Sequence, residues 1–410
     1  MQYLAVLGRQ PAIGLAELES LFGPDSVMPL AGGLALVTTS DNISYQRFGS
    51  VIKFAKVFDN KTHNISLLNR DISQIIIRNH PVQADTKLKI GISDYSGQIS
   101  ASNLAKLGLQ VKKVLKNKGY SVRIVPNNTP KLSSAQIIHN KLISENGFEF
   151  VIFINIGGNL QLAIATYEQN IEAYSARDQA RPKRDARVGM LPPKLAQTII
   201  NLATRPIRES GIGNRNWVNN SPPLPITQPL TPTILDPFCG TGVILQEAAI
   251  MGYKIYGTDL EERMIRYGRD NLQWLKDTHY INFDWFLETA DATNHKWRQP
   301  IDCVATETYL GRPMSTAPAK NELNEIVQAV NTIHKKFLEN LHKQITSKTS
   351  ICLAVPAWNA KNGFVHLPIL DQLSNLGYNR IEFKHVKTSD LIYLRPDQIV
   401  GRELVVLQKK

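Results

Sequence analysis

The sequence predicts an α/β protein in which a doubly wound parallel sheet fills the C-terminal 180 residues and smaller α+β modules precede it. From residue 233 onward, short apolar strands alternate with amphipathic helices, a pattern typical of a parallel sheet with helices on both faces. A chain of 410 residues is also longer than a single hydrophobic core usually supports. Five prolines between residues 217 and 233 exclude both helix and central strand there. We therefore expect several domains, with a linker ahead of the last.

The elements predicted in the modules ahead of the linker follow from apolar periodicity. A helix is predicted over residues 11–22 in a first module, 1–60. A second module, 61–172, is predicted to contain strands at 88–92, 121–125 and 150–156 and helices at 104–115 and 134–142. Residues 173–232 are assigned to the linker and to the segment that leads into the last domain, 233–410. The strands predicted in that domain are 233–236, 254–258, 285–289, 301–306, 350–355 and 380–385, and its helices are 243–250, 264–275 and 321–340.

Composition restricts the class of protein. With 43% apolar and 20% charged residues, the chain has the make-up of an ordinary globular protein. Its three cysteines are far apart in sequence, which excludes a disulfide scaffold and the usual zinc spacings, so no metal is expected. No basic leader and no run of eighteen apolar residues is found. These features predict a cytoplasmic protein without a membrane span.

The net charge of +12 is concentrated in the middle of the chain. Residues 61–190 contain eighteen Lys and Arg against nine Asp and Glu, whereas residues 231–410 contain twenty-one against twenty. This asymmetry predicts a polyanion-binding surface on one module beside a neutral module with another task. On the helix 104–115 the basic residues Lys112, Lys113 and Lys116 lie off the apolar stripe. An ordinary solvated face is the alternative interpretation.

A glycine motif between a strand and a helix predicts a nucleoside site. The motif runs from Asp236 to Gly242, and Gly240 and Gly242 allow the backbone to approach a ligand closely. Leu245 stands where a dinucleotide-binding loop has its third glycine, and a phosphate-binding Gly-Lys-Ser/Thr is absent. Asp259 ends the next strand, from which a carboxylate can accept hydrogen bonds from both ribose hydroxyls.

This motif resembles the first motif of class I methyltransferases that use S-adenosylmethionine. The resemblance implies the same doubly wound, Rossmann-like fold, with S-adenosylmethionine as the cofactor. It assigns cofactor binding to Asp236, Phe238, Gly240, Gly242 and Asp259. Asp291, which follows the third strand, would then bind the adenine amino group. A turn or helix-capping role is the alternative for Asp291.

Three stretches of sequence together resemble the THUMP-domain RNA methyltransferases, closest to the archaeal-type tRNA guanine-10 N2-methyltransferases. They are residues 122–142, residues 177–196 and the glycine motif. The resemblance implies a ferredoxin-like N-terminal subdomain at 1–60, a THUMP domain at 61–172 and a methyltransferase domain at 233–410. It further implies that the first two bind tRNA while the third methylates the exocyclic amine of a guanosine.

The expected RNA contacts come from basic residues in the middle of the chain. Lys112, Lys113, Lys116 and Arg123 are assigned to phosphates, which position RNA without reading its sequence. The segment ahead of the last domain adds three further candidates, Arg181, Lys183 and Arg184. Because Asp178 and Asp185 lie close to these three in sequence, a local salt-bridge lattice is an equal alternative.

The fourth strand departs from the family pattern of Asp/Asn-Pro-Pro-Tyr/Phe. With Asp302 and Gly311 kept in their usual places, Glu307 is the acceptor for the amine hydrogens and both prolines are lost. With Tyr309 aligned to the family's aromatic residue, the acceptor position falls on Thr306 instead. We prefer the first register because it keeps a carboxylate, and Tyr309 would then stack on the flipped base.

These observations lead to one main hypothesis and two alternatives. The main hypothesis is an S-adenosylmethionine-dependent tRNA guanine N2-methyltransferase. The alternatives are a catalytically silent tRNA-binding protein that keeps the cofactor fold, and a methyltransferase acting on an amine of other RNA or DNA. The sequence specifies neither the modified nucleotide, nor mono- against dimethylation, nor an oligomeric state, nor an activating protein subunit.

Overall fold

The computed structural model describes residues 1–40, 43–62, 64–83, 86–185, 191–205, 232–314, 316–361, 363–396 and 398–410. The strands in these ranges are β1 (Gln2–Leu7), β2 (Val27–Leu30), β3 (Leu34–Thr38), β4 (Val51–Thr62), β5 (Lys87–Asp94), β6 (Ser121–Ile124), β7 (Ile143–Ser144), β8 (Gly147–Ile154), β9 (Leu160–Glu168), β10 (Thr233–Asp236), β11 (Lys254–Asp259), β12 (Trp285–Thr289), β13 (Cys303–Glu307), β14 (Ser350–Ala360), β15 (Gly363–Val365), β16 (Tyr378–Arg380), β17 (Ile392–Tyr393) and β18 (Val400–Lys409). The α-helices in the same ranges are α1 (Pro11–Phe22), α2 (Leu68–Asn79), α3 (Ala101–Asn117), α4 (Ser134–His139), α5 (Ile171–Gln179), α6 (Pro193–Ala203), α7 (Val243–Ile250), α8 (Glu262–His279) and α9 (Lys320–His342).

The chain forms two compact units. The first unit contains residues 1–11, 25–41 and 51–172, and the second contains residues 12–24, 42–50 and 173–410. The sequence predicts separate modules at 1–60 and 61–172, and the structure divides the chain differently. Helix α1 groups with the C-terminal domain because Ile13 and Ala16 pack into that domain's core.

The first unit is built on one sheet with the strand order β2-β3-β1-β4-β9-β8-β5-β6. The predicted boundary at residue 60 lies inside β4, which pairs with β1 on one side and β9 on the other. Strands from both predicted modules therefore share a single ladder of hydrogen bonds. Helices α2 and α3 cover one face through Ile72, Leu104 and Val111, which pack against Ile90 and Phe150.

The second unit contains a sheet with the strand order β12-β11-β10-β13-β14-β18-β16. The pairs among β12, β11, β10, β13 and β14 are parallel, as the alternation of strands and helices predicts, whereas β18 is antiparallel to both of its neighbours. The predicted strand at 380–385 is wrong over most of its length. Strand β16 ends at Arg380, and the amides of Lys384 and His385 donate to the Glu19 carboxylate of α1 at 2.8 Å each.

Both faces of this sheet are covered by helices. Helices α1, α6, α7 and α8 pack on one face around a core that includes Leu195, Leu245 and Leu272. Helix α9 packs on the other face through Val330, Phe337 and Leu341. Strand order reverses at β10 and β13, so a crevice is expected beyond their carboxyl ends. Across the part of the chain that the structure describes, every helix is too short or too polar to cross a membrane.

Candidate active site

The glycine motif forms the turn between β10 and α7. Gly240 and Gly242 have φ values of +49° and +85°, a region of backbone conformation that side chains disfavour. The Gly242 amide donates to the Cys239 carbonyl at 2.8 Å, which closes the turn. Gly242 also stands at the start of α7, whose first amides lack partners within the helix. The motif therefore forms a tight turn, which depends on two glycines, at the carboxyl edge of the sheet.

Asp259 holds this turn as well as facing the crevice. Its Oδ2 accepts a hydrogen bond from the Gly240 amide at 2.9 Å, and its Oδ1 accepts one from the Glu261 amide at 2.9 Å. Burial raises the pKa of Asp259, and the two backbone donors work against that rise. Since each carboxylate oxygen can accept two hydrogen bonds, both keep capacity for ligand hydroxyls.

Asp236 is a buried acid at the end of β10. Its Oδ1 accepts from the Thr306 hydroxyl at 2.6 Å and from the Phe238 amide at 3.3 Å. Burial raises the pKa of Asp236 to about 8, against the lowering effect of these two donors, and the charges of Asp259 and Glu307 add to the rise. Asp236 is therefore largely protonated at neutral pH.

A cavity of about 750 Å³ brings together most of the residues predicted for cofactor binding and catalysis. It lies at the carboxyl ends of β10, β11 and β13, as the strand order predicts. The cofactor candidates that line it are Asp236, Phe238, Gly240, Asp259 and Asp291, and the catalytic candidates that line it are Glu307 and Tyr309. Lys336 of α9, which sequence reasoning did not single out, lines the same cavity.

Glu307 ends β13 and is paired with a residue that sequence reasoning missed. The Arg402 Nε donates to Glu307 Oε1 at 2.5 Å, and only 4% of the Arg402 side chain and 14% of the Glu307 side chain are exposed. Among the described residues Arg402 is the sole hydrogen-bond partner of the Glu307 side chain, which leaves Oε2 without one. Tyr309, two residues further on, is 44% exposed. Nothing in the sequence around Arg402 indicates this pair.

Thr306 does not line the cavity. Its side chain is fully buried and its hydroxyl is committed to Asp236. The structure therefore does not support the alternative register, in which Thr306 accepts the amine hydrogens, because this side chain is closed to the cavity and bonded to Asp236.

Asp291 makes a turn contact and also faces the cavity. Its Oδ1 accepts from the amide and the hydroxyl of Thr293, at 2.9 and 2.8 Å, in the turn after β12. It lines the cavity as well. The structure thus shows the capping contact and leaves adenine binding as a proposal.

The segment ahead of the last domain forms several salt bridges. Arg181 is 2% exposed at its side chain and pairs with Asp178 at 3.3 Å. Asp185 pairs with Arg263 of α8 at 3.0 Å, and Lys183 lies 3.7 Å from Asp270. Arg181 is therefore wrong as an RNA contact, because its buried guanidinium cannot reach a phosphate. Lys183 is half-buried and Arg184 is exposed, so both remain candidates.

The basic residues of the first unit lie on two different faces. Helix α3 buries Leu104 and Val111 against the sheet, while Lys113 and Lys116 are exposed and Lys112 is half-buried beside them. Val122 of β6 packs under the same helix. Because side chains alternate along a strand, the exposed Arg123 points to the opposite face of the sheet. The lysines of α3 and Arg123 cannot form one surface.

The strand order, the glycine turn and the crevice together define a class I methyltransferase fold. Residues 228–362 match the family model described as UPF0020, RMKL-like, methyltransferase domain. The chain is similar to the tRNA (guanine(10)-N2)-dimethyltransferase of Methanothermobacter thermautotrophicus, with 32% identity over 183 residues, or 44% of this chain and 43% of that relative. Its similarity to the protein of the same name from Pyrococcus abyssi is 25% over 256 residues, or 60% of this chain and 65% of the relative.

These matches span about half to two thirds of the curated relatives. Among solved structures, TrmN from Thermus thermophilus aligns over 100% of both chains at 14% identity, with a TM-score of 0.47. Magnesium protoporphyrin IX methyltransferase from Synechocystis aligns over 58% of this chain and 96% of its own, at 13% identity and a TM-score of 0.34.

Proposed function

We propose that this protein transfers a methyl group from S-adenosylmethionine to the exocyclic N2 amine of a guanosine in tRNA. One observation supports this above the others: the glycine turn, Asp259, Glu307 and Tyr309 line one cavity at the carboxyl edge of the sheet. A nucleoside cofactor and a target base can therefore meet in a single space. The relatives named as tRNA guanine-10 dimethyltransferases indicate the same substrate.

The residues of the cavity fit S-adenosylmethionine. When bound, this cofactor supplies a methyl group on a positively charged sulfonium. Asp259 has acceptor capacity for ribose hydroxyls, and the glycine turn leaves room for close approach of the ligand. Asp291, which lines the same cavity, is proposed to bind the adenine amine. Asp259 and Asp291 place carboxyl groups in the cavity, which suits a cationic ligand.

Glu307 and Tyr309 are proposed to activate and position the guanine amine for methyl transfer. The amine lone pair is delocalised into the ring, so an acceptor for its hydrogens raises its nucleophilicity. Glu307 Oε2 provides that acceptor, while Arg402 holds Oε1 and compensates the charge. The half-exposed ring of Tyr309 provides a stacking surface for the base. Together the two residues would place the amine in line with the methyl group.

The first unit is proposed to bind the tRNA backbone, with Lys112, Lys113 and Lys116 on α3 as phosphate contacts. These three lysines form no ion pair with the residues that the structure describes. Phosphate contacts of this kind fix the position of RNA independently of its sequence. Residues 61–172 would correspond to a THUMP domain, and we place the protein in the cytoplasm with tRNA.

Mass mapping of methylated nucleosides tests the proposal directly. A tRNA transcript pool without modifications is incubated with S-adenosylmethionine and either the wild type or Glu307→Gln. We expect N2-methylguanosine with the wild type and a reduced yield with Glu307→Gln, which keeps an acceptor oxygen. Arg402→Lys serves as the matched variant, since it retains the charge and loses the guanidinium geometry.

Two outcomes would replace this proposal. Absence of any methylated nucleoside, with S-adenosylmethionine and tRNA both bound, would indicate a silent tRNA-binding protein. The loss of both prolines after the fourth strand is the feature that favours this second candidate. Methylation of DNA or other RNA in competition with tRNA would instead indicate a different nucleic-acid substrate.

A further inference from the structure

We propose that His334 is a positioning residue, which acts through Thr308 to fix the segment that presents Glu307 and Tyr309 to the cavity. The inference rests on the function proposed above. A buried hydrogen bond between Thr308 and His334 restricts this segment.

The geometry of the pair defines which atom donates. His334 is 1% exposed on α9, with Nδ1 at 2.8 Å from the Val330 carbonyl and Nε2 at 2.7 Å from the Thr308 hydroxyl. A carbonyl oxygen only accepts, so Nδ1 bears the proton. Burial lowers the pKa of His334 to about 4, which keeps the ring neutral and leaves a lone pair on Nε2. The Thr308 hydroxyl, which also lies 3.2 Å from the Ala354 carbonyl, therefore donates to the imidazole at the shorter 2.7 Å contact.

Two further contacts fix the same segment at its ends. The Thr308 amide donates to the Ala354 carbonyl of β14 at 3.0 Å, a bond that a proline at this position could not make. Gly311 has a φ of +92° and lies against Ile326 and Val330 of α9. Residues 308–311 are thus attached to β14 and α9, and Tyr309 lies between the attachments.

His334 itself does not line the cavity, whereas Thr308 does. An effect of His334 on turnover must therefore pass through Thr308 and the residues beside it. Because reacting groups must be placed within about 1 Å, loosening this segment is expected to reduce turnover by roughly 100-fold. The glycine turn and Asp259, which lie on other strands, are expected to keep their affinity for S-adenosylmethionine.

The experiment compares Thr308→Val, His334→Phe and the double variant with the wild type. Thr308→Val removes the hydroxyl at nearly constant shape, and Thr308→Ser restores it. Thr349→Val is the matched control, because Thr349 is a buried threonine with a hydroxyl bond to the Ile301 carbonyl, outside the cavity. The measurements are kcat and KM on unmodified tRNA, calorimetric affinity for S-adenosylmethionine, and amide hydrogen exchange of peptides covering residues 307–311.

We expect kcat to fall by roughly 100-fold in both single variants and no further in the double variant, with cofactor affinity within about twofold of the wild type. Exchange at 309–311 should accelerate in the same variants, and Thr308→Ser should restore both readouts.

Losses that multiply in the double variant, or unchanged exchange at 309–311, would overturn the assignment. An equal fall in cofactor affinity would do so too, because it would mean general damage to the domain. If the wild type methylates no guanosine in tRNA, the proposed function fails, and the exchange measurement alone decides the role of His334. Should His334→Phe not fold, Thr308→Val provides the same comparison.

Discussion

Replacing Asp236 by Asn tests whether the carboxyl group that begins the glycine motif is buried in its neutral, protonated form. Asn keeps an acceptor oxygen for the Thr306 hydroxyl and the Phe238 amide but cannot ionise. Asp236 is 2% exposed, and burial raises its pKa from 3.8 to about 8. The folded protein therefore binds this proton more tightly than the unfolded chain does. That contribution to stability is complete below pH 4 and declines as the pH rises to about 8.

The magnitude follows from the pKa difference. Each pH unit within this window removes about 1.4 kcal/mol from the free energy of unfolding, so roughly 4 kcal/mol is lost between pH 5 and pH 8. Asp236→Asn lacks this dependence. The stability of the variant relative to the wild type should therefore rise by roughly 4 kcal/mol over the same interval, which corresponds to a Tm difference of about 8 to 16 °C for a domain of this size.

Tryptophan fluorescence during heating is the suitable assay, because all five tryptophans lie at or after residue 217 and the first unit contains none. Asp270→Asn, at a carboxylate that is 53% exposed, is the control and should follow the wild type at every pH. A difference between Asp236→Asn and the wild type that stays constant from pH 5 to pH 8 would refute the neutral, buried carboxyl.

Three further predictions concern the cavity and the RNA surface. Asp259→Ala should weaken S-adenosylmethionine binding by roughly 1 to 3 kcal/mol, as measured by calorimetry. Asp259→Asn keeps an acceptor for the Gly240 amide and should weaken binding less. An affinity equal to that of the wild type in a folded Asp259→Ala protein would contradict the ribose assignment. Tyr309→Ala should reduce turnover on tRNA severely, because stacking of the ring on a base contributes roughly 1 to 3 kcal/mol. Tyr309→Phe should reduce turnover only mildly, because the ring can stack without its hydroxyl. Similar turnover in the two variants would exclude stacking. Changing the α3 lysines to Glu should weaken tRNA binding and reduce its salt dependence, with cofactor affinity unchanged. The same charge change at exposed lysines of the second unit should leave tRNA binding as it is. An unchanged salt dependence in the α3 variant would place the RNA surface elsewhere. The α3 lysines are Lys112, Lys113 and Lys116, and the control lysines are Lys348, Lys361 and Lys387.

The alternation of strands and helices in the last 180 residues could be predicted because each element has a local apolar period. The glycine motif was recognisable for the same reason, since its spacing and its place between β10 and α7 are properties of one short stretch. Strands β9 and β18 escaped prediction, although β18 pairs with β14, β16 and β17. Their identity as strands depends on partners far away in sequence.

The sequence by itself determined the doubly wound domain, the nucleoside turn and the acidic residue that ends the fourth strand. Only the tertiary structure decided which charged and polar side chains form pairs. Glu307 and Arg402 are 95 residues apart and form one buried pair. Arg181 was a candidate RNA contact until its burial beside Asp178 was apparent. Thr308 and His334 form a buried hydrogen bond that spans 26 residues. Short-range periodicity encodes which face of an element is apolar, whereas the partner of a buried polar group is fixed only when distant segments pack and exclude water.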